Sequence, residues 1–164
     1  MHRVSLAEGA DLAGFRAILR RLIPAGVAPE AVVWSRGGSD LFGADPLPEA
    51  GAISLPREVV RLIECVVCHR DPERFALLYQ LVWRIHRGAR NLLAIASDPL
   101  VHRLEWMRKS VRRDIHKMHA FLRFRRIDGP DGTERFAAWF EPEHFILEAA
   151  APFFVNRFRA LDWS

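Results

Sequence analysis

Cysteine is scarce in this chain, with only Cys65 and Cys68 among 164 residues, so a disulfide framework is excluded as the source of stability. None is needed, because a domain of this length buries roughly 70% of the surface its unfolded chain exposes. Apolar runs are short. None approaches the roughly 18 residues of a membrane span, and residues 1–9 lack the apolar stretch of roughly 7 to 15 residues that marks a signal peptide. The expected setting is cytoplasmic, with no membrane partner. Internal repeats and low-complexity tracts are missing, which together with 50% hydrophobic and 27% charged residues excludes a disordered or fibrous chain. One domain over 1–164 is expected. Also lacking are a phosphate loop ending in Gly-Lys-Ser/Thr, a Gly-x-Ser-x-Gly elbow and a His-Glu-x-x-His helix, so the common nucleotide, hydrolase and metalloprotease chemistries have no anchor here.

What is present is regular over most of the length. Residues 3–7 alternate as a short strand, and 10–23 read as a helix with Phe15, Ile18, Leu19, Leu22 and Ile23 on one side, stopped by Pro24 and Gly26. The segment from Pro24 to Pro56 holds 10 of the chain's 20 Gly and Pro residues, so it is loop-rich, with one short strand at 31–34. A helix is expected over 56–68. Asp71-Pro72-Glu73 restarts a second that runs to about Gly88. From Pro99 to Met118 the apolar residues Leu100, Leu104, Met107, Val111, Ile115 and Met118 fall three or four apart, giving a long amphipathic helix with one buried stripe. Residues 119–127 then alternate, with Leu122 and Phe124 on one face and Phe121, Arg123 and Arg125 on the other. A turn over 128–133 leads to a strand over 134–141. The last element, 143–161, is helical in pattern but broken or kinked at Pro152. The fold class is α+β, mainly helical, with a small antiparallel sheet around the 119–141 hairpin.

Lysine is nearly absent: Lys109 and Lys117 are the only two among 24 basic residues. GC-rich codons alone produce an Arg-rich chain, so the number of arginines decides nothing and their clustering does. Residues 101–126 hold 9 of the basic groups and 2 of the acidic ones, net +7, while 127–164 are net −4. Within that helix Lys109, Arg113 and Lys117 lie four apart on one face, and Arg108, Arg112 and His116 form a parallel row. Like charges at this spacing repel, so the double row is readily understood if an anion sits on it, the alternative being a solvated face neutralised from elsewhere in the fold. Arg123 and Arg125, interleaved with Phe121, add the charge for phosphate and the ring for a base that a nucleic-acid strand needs.

Other candidates carry a plain structural alternative. Asp114 borders the apolar stripe, where a carboxylate wants a partner; Arg84, Arg123 and Arg125 are the arginines expected to supply it as an ion pair fixing helix to hairpin. Cys65-Val-Val-Cys68-His69 has the letters of a haem-attachment string and half a zinc site, but lacks a secreted context and further ligands, so the cysteines are read as core residues and no metal is assigned. His144 is expected at the surface or as a cap.

The run Ser110-Val-Arg-Arg-Asp-Ile-His-Lys-Met-His-Ala-Phe-Leu-Arg-Phe-Arg125 resembles the signature of a bacterial DNA-metabolism family of unknown function, in which V-x-x-D-x-H-K-M-x-x-F-x-R-F leads a helix into a strand. Further agreement covers Phe15-Arg16 with Arg20-Arg21-Leu22, Pro29-Glu30 through Trp34, Leu41-Phe42, Arg74-Phe75 through Trp83-Arg84, the stretch from Trp139 to His144, and Phe153-Phe154 through Arg157-Phe158. The resemblance implies a role in DNA repair or uracil-DNA metabolism, standing alone beside a radical-SAM protein in trans or fused ahead of a UdgX-type uracil-DNA glycosylase-like domain in cis. It points to Asp114, His116, Lys117, Met118, Phe121, Arg123 and Phe124 as motif positions and assigns no catalytic residue. An iron–sulfur cluster belongs only to the fused glycosylase domain, so no cofactor is expected in this chain. Family members continue past the position of Trp163 into another strand, so the chain is expected to be a fragment or truncated member with an unpaired sheet edge.

Three functions follow as expectations. The first is a DNA-binding accessory module in which Arg108, Lys109, Arg112, Arg113, Lys117, Arg123 and Arg125 engage phosphates and Phe121 or Trp139 stacks on a base. The second is an enzyme acting on a nucleotide or damaged base through Asp114, His116 and Lys117. Positions 114 and 116 point about 200° apart on a helix, so both meet one substrate only if the helix ends between them. The third is a protein-interaction domain that docks a repair partner through its acidic last segment and sheet edge.

Overall fold

The computed structural model describes residues 1–36, 46–130 and 132–163. Leu41-Phe42, Asp131 of the turn and the terminal Ser164 lie outside the described residues. Strand β1 (His2–Leu6), helix α1 (Leu12–Leu22) and strand β2 (Val32–Arg36) are followed by helices α2 (Arg57–Val66), α3 (Arg74–His86) and α4 (Pro99–Phe121), the hairpin strands β3 (Arg125–Asp128) and β4 (Glu134–Ala137), and helix α5 (Leu147–Arg157). The class is α+β and mainly helical.

Two sheets are present among the described residues. The hairpin was legible; the other was not. β1 and β2 pair in parallel from His2↔Val32 to Leu6↔Arg36, with α1 as the crossover. Two short alternating segments separated by a helix need that crossover to lie side by side in parallel. Trp34 of β2 ties the sheet to the helices, with ring centroids 5.7 Å from Phe15, 6.2 Å from Phe75 and 5.7 Å from Tyr79.

α4 is the axis of the molecule. With 23 residues it runs about 34 Å, and its stripe of Leu104, Met107, Val111 and Met118 is buried in the common core of the other helices. Its start is fixed by Asp98, whose carboxylate accepts from the N–H groups of Leu100 (3.0 Å) and Val101 (3.2 Å), with Pro99 at the first helical position. Arg84 of α3 clamps the same carboxylate through two bonds of 3.1 and 2.7 Å, so its guanidinium is committed there and not to Asp114.

Several boundaries differ from the sequence expectation. Residues 119–121 continue α4 where a strand was expected, because alternation and helical spacing coincide over so short a stretch and His119 docks on α5, its ring 4.2 Å from Phe153. The hairpin itself is shorter, pairing Arg125↔Ala137 to Asp128↔Glu134. Leu122 and Phe124 still face inward and Phe121, Arg123 and Arg125 outward. α5 starts at Leu147, not at 143; in the segment before it the His144 N–H donates to Asp114 (2.9 Å) and the Phe145 N–H to the Cys68 carbonyl (2.8 Å). The helix passes through Pro152 instead of breaking at it.

The β4 edge is also not bare. The Phe136 N–H donates to the Asp162 carbonyl at 2.8 Å and Phe136 bridges Trp163 in parallel, while the Trp163 ring packs 5.5 Å from Phe124. Among the described residues no helix is long and apolar enough to cross a membrane.

Candidate functional site

The outer face of α4 carries the charge. Lys109, Arg112, Arg113, His116 and Lys117 are all exposed, opposite the buried stripe. Lys109, Arg113 and Lys117 rise about 6 Å apiece along the axis. Their compensation is uneven. Arg108 is half-buried and bridges Glu105 at 2.7 Å, and Lys117 lies 3.7 Å from Glu143. Among the described residues Lys109, Arg112 and Arg113 make no ion pair. Arg123 is exposed, and its Nη1 donates to the carbonyls of Ala120 (2.8 Å) and Leu122 (3.0 Å) at the end of α4. Arg125 opens β3 and is exposed.

Phe121 closes the row, one turn beyond Lys117 and 68% exposed. Trp106, 58% exposed, opens it one turn before Lys109, and the sequence reading missed it. The signal was available: Trp106, Lys109, Arg113, Lys117 and Phe121 are spaced by three and then four residues, one continuous line on a helix. Trp139, also read as a possible stacking ring, is exposed beyond β4.

Beneath this face lies a buried polar cluster. Asp114, 4% exposed, accepts the backbone N–H of His144, so its expected arginine is replaced by an amide of the loop ahead of α5. Arg84 is held by Asp98 and Arg123 by carbonyls, which leaves that amide as the near donor. His144 is buried, not at the surface. Its Nδ1 accepts from the Arg70 N–H at 3.2 Å and its Nε2 lies 2.8 Å from Ser110 Oγ. Ser110 and His144 have the look of a nucleophile and its base, but an Nδ1 that accepts leaves the neutral ring's proton on Nε2, which then donates to the serine. The pair is arranged in the wrong sense for activating Ser110. His69 stacks on His144 at 4.3 Å and is likewise an acceptor, taking the Asp71 N–H on Nδ1 at 3.1 Å. Burial, then the neighbouring His144, lowers its pKa to about 4; burial also lowers that of His144, against the pull of Asp114.

The enzymatic candidates do not converge. α4 continues through 114–117, so Asp114 is turned into the core while His116 and Lys117 face outward. Cys68 is buried and Cys65 half-buried, their thiols donating to the carbonyls of Glu64 and Arg108, and burial pushes both thiol pKa values up, that of Cys68 to about 11. Among the described residues no group of three His, Cys, Asp or Glu is placed to hold a metal. A cavity of about 810 Å³ between the segment entering α1 and residues 142–148 is lined by Glu8, Asp11, Glu143 and Glu148, with Arg16 already bound to Glu64 at 2.6 Å. Its sign is opposite to that of the α4 face.

No curated protein and no solved structure matches the chain. Residues 72–164, which include α3, α4, the hairpin and α5, match the model of a family described as a domain of unknown function, DUF4130, and the chain belongs to that family.

Proposed function

We propose that this chain is a nucleic-acid-binding accessory module of DNA repair or uracil-DNA metabolism, which holds a phosphate backbone on the outer face of α4. The observation that carries this reading is the set of three neighbouring exposed cations, Lys109, Arg112 and Arg113, that the described fold leaves without ion pairs. Arg108, Lys117 and Arg125 extend the positive surface at its two ends, and Phe121 supplies a ring in line with it. A folded chain gains nothing from keeping like charges unscreened at helical spacing, whereas a polyanion releases counterions from its phosphates when it binds there. The setting in repair, with a uracil-DNA glycosylase-like domain in cis or a radical-SAM protein in trans, rests on the resemblance of the 110–125 run.

The test is fluorescence anisotropy with labelled DNA across a salt series. Three to five phosphate contacts give a slope of log affinity against log salt of about −2 to −4. Lys109→Glu, Arg112→Glu and Arg113→Glu together remove retention while the circular dichroism spectrum stays unchanged, since all three side chains lie outside the core. Salt-independent binding, or binding that survives the triple reversal, overturns the proposal.

A further inference from the structure

We infer that the strand held on α4 is single-stranded, and that Trp106 is its principal base-stacking platform; this rests on the nucleic-acid reading above and adds the class of ligand. In a duplex the base faces are covered by one another, and a protein ring reaches only edges and backbone. An exposed ring in line with phosphate-binding cations has work to do only where bases are free to leave the stack. Here two such rings bracket the row. Trp106 and Phe121 are 15 residues apart on one helix, about 22 Å, with Lys109, Arg113 and Lys117 at regular intervals between them.

Trp106 is also the better anchored of the two. Its indole packs 5.7 Å from the ring of His69, and His69 is itself stacked on His144 and held by the Asp71 N–H. The indole is thus held in place from below while 58% of the residue stays open to solvent. A ring fixed in advance loses little conformational freedom when a base settles on it. Phe121 sits on the last turn of α4 without a ring partner among the described residues, and serves as the second, weaker contact.

The experiment compares an oligo-dT and an oligo-rU with a mixed-sequence duplex of equal length, in one buffer and over one salt series, for the wild type, Trp106→Ala and Trp106→Phe. Either single strand should bind more tightly than the duplex, the better of the two identifying DNA or RNA as the source. Trp106→Ala should weaken single-strand binding about tenfold with the salt slope unchanged, since a stacked base is lost and no phosphate contact is. Trp106→Phe should retain most of the affinity, which also shows that the effect is not loss of fold. Duplex affinity equal to or above that of both single strands, or single-strand affinity indifferent to Trp106→Ala, overturns the inference while leaving the phosphate surface standing. Absence of binding to all three probes removes the surface as well, and the inference with it.

Discussion

His69 and His144 are held toward the neutral form by burial first, and their Nδ1 atoms are placed accordingly. Each accepts a backbone N–H of the turn between α2 and α3, and a proton added to either Nδ1 would face another N–H. The sign of the pH dependence follows. The unfolded chain takes up a proton on His69 below its ordinary value of 6.5, and the folded chain refuses it down to about 4, so stability is full above pH 6.5 and declines as the pH falls through that window. His144 adds to the decline in the same direction. The total for His69 is at most about 3.4 kcal/mol. Urea unfolding between pH 7 and 4 should show this slope in the wild type and a flatter one in His69→Phe, parallel slopes being the result that removes the neutral ring from the account; below pH 4 the carboxylates of Asp71 and Asp98, both held low, take over. Neither histidine's role was legible in the sequence. The border position of Asp114 shows that it needs a donor, but its donor is a backbone amide 30 residues away, and an amide has no letter in a sequence while arginines do.

At the scale of single elements, legibility followed hydrophobic period. α1, α2, α3 and α4 were readable because each buries one stripe, and Trp106 was overlooked because a lone exposed aromatic contributes nothing to such a stripe. The parallel β1–β2 pair was not readable, since partner choice in a sheet depends on the crossover and not on either strand. Local signals can also mislead, as α1 shows. Gly14 lies within this helix, where replacement by Ala ordinarily gains about 1 kcal/mol. The Asp11 carboxylate, however, turns back to accept from the Gly14 N–H at 2.8 Å and the Ala7 N–H at 3.0 Å, and a Cβ on residue 14 would collide with that carboxylate. Gly14→Ala in the wild type should therefore bring no gain, the propensity being offset by a lost cap of about 0.5–2 kcal/mol. In an Asp11→Ala background, itself destabilised by that amount, the same change should stabilise by about 0.5–1 kcal/mol. A double-mutant cycle by urea denaturation measures the coupling, and additive effects would show that the cap and the glycine are independent.

Over the whole molecule the charge is divided, basic on the outer face of α4 and acidic around the cavity beside α1, and the fold does little to bring the two together. Among the described residues Glu143 pairs with Lys117 and Glu105 with Arg108, and the middle of the row makes no ion pair. The segment charge was legible in the sequence, but which cations find partners was not, because the acids that neutralise the ends come from loop and helix positions set by packing. A positive row kept for a ligand should cost the free protein stability. Arg113→Glu tests this with one side chain: it replaces the repulsion of Arg113 by Lys109 and by Lys117, four residues away on either side, with attraction to both, worth about 1 kcal/mol in total at low salt. The variant should unfold at higher urea than the wild type yet bind DNA more weakly, and the gain in stability should vanish at high salt, where exposed charges are screened. Loss of stability and of binding together would instead make Arg113 a residue of the fold, and the row would then need no ligand to explain it.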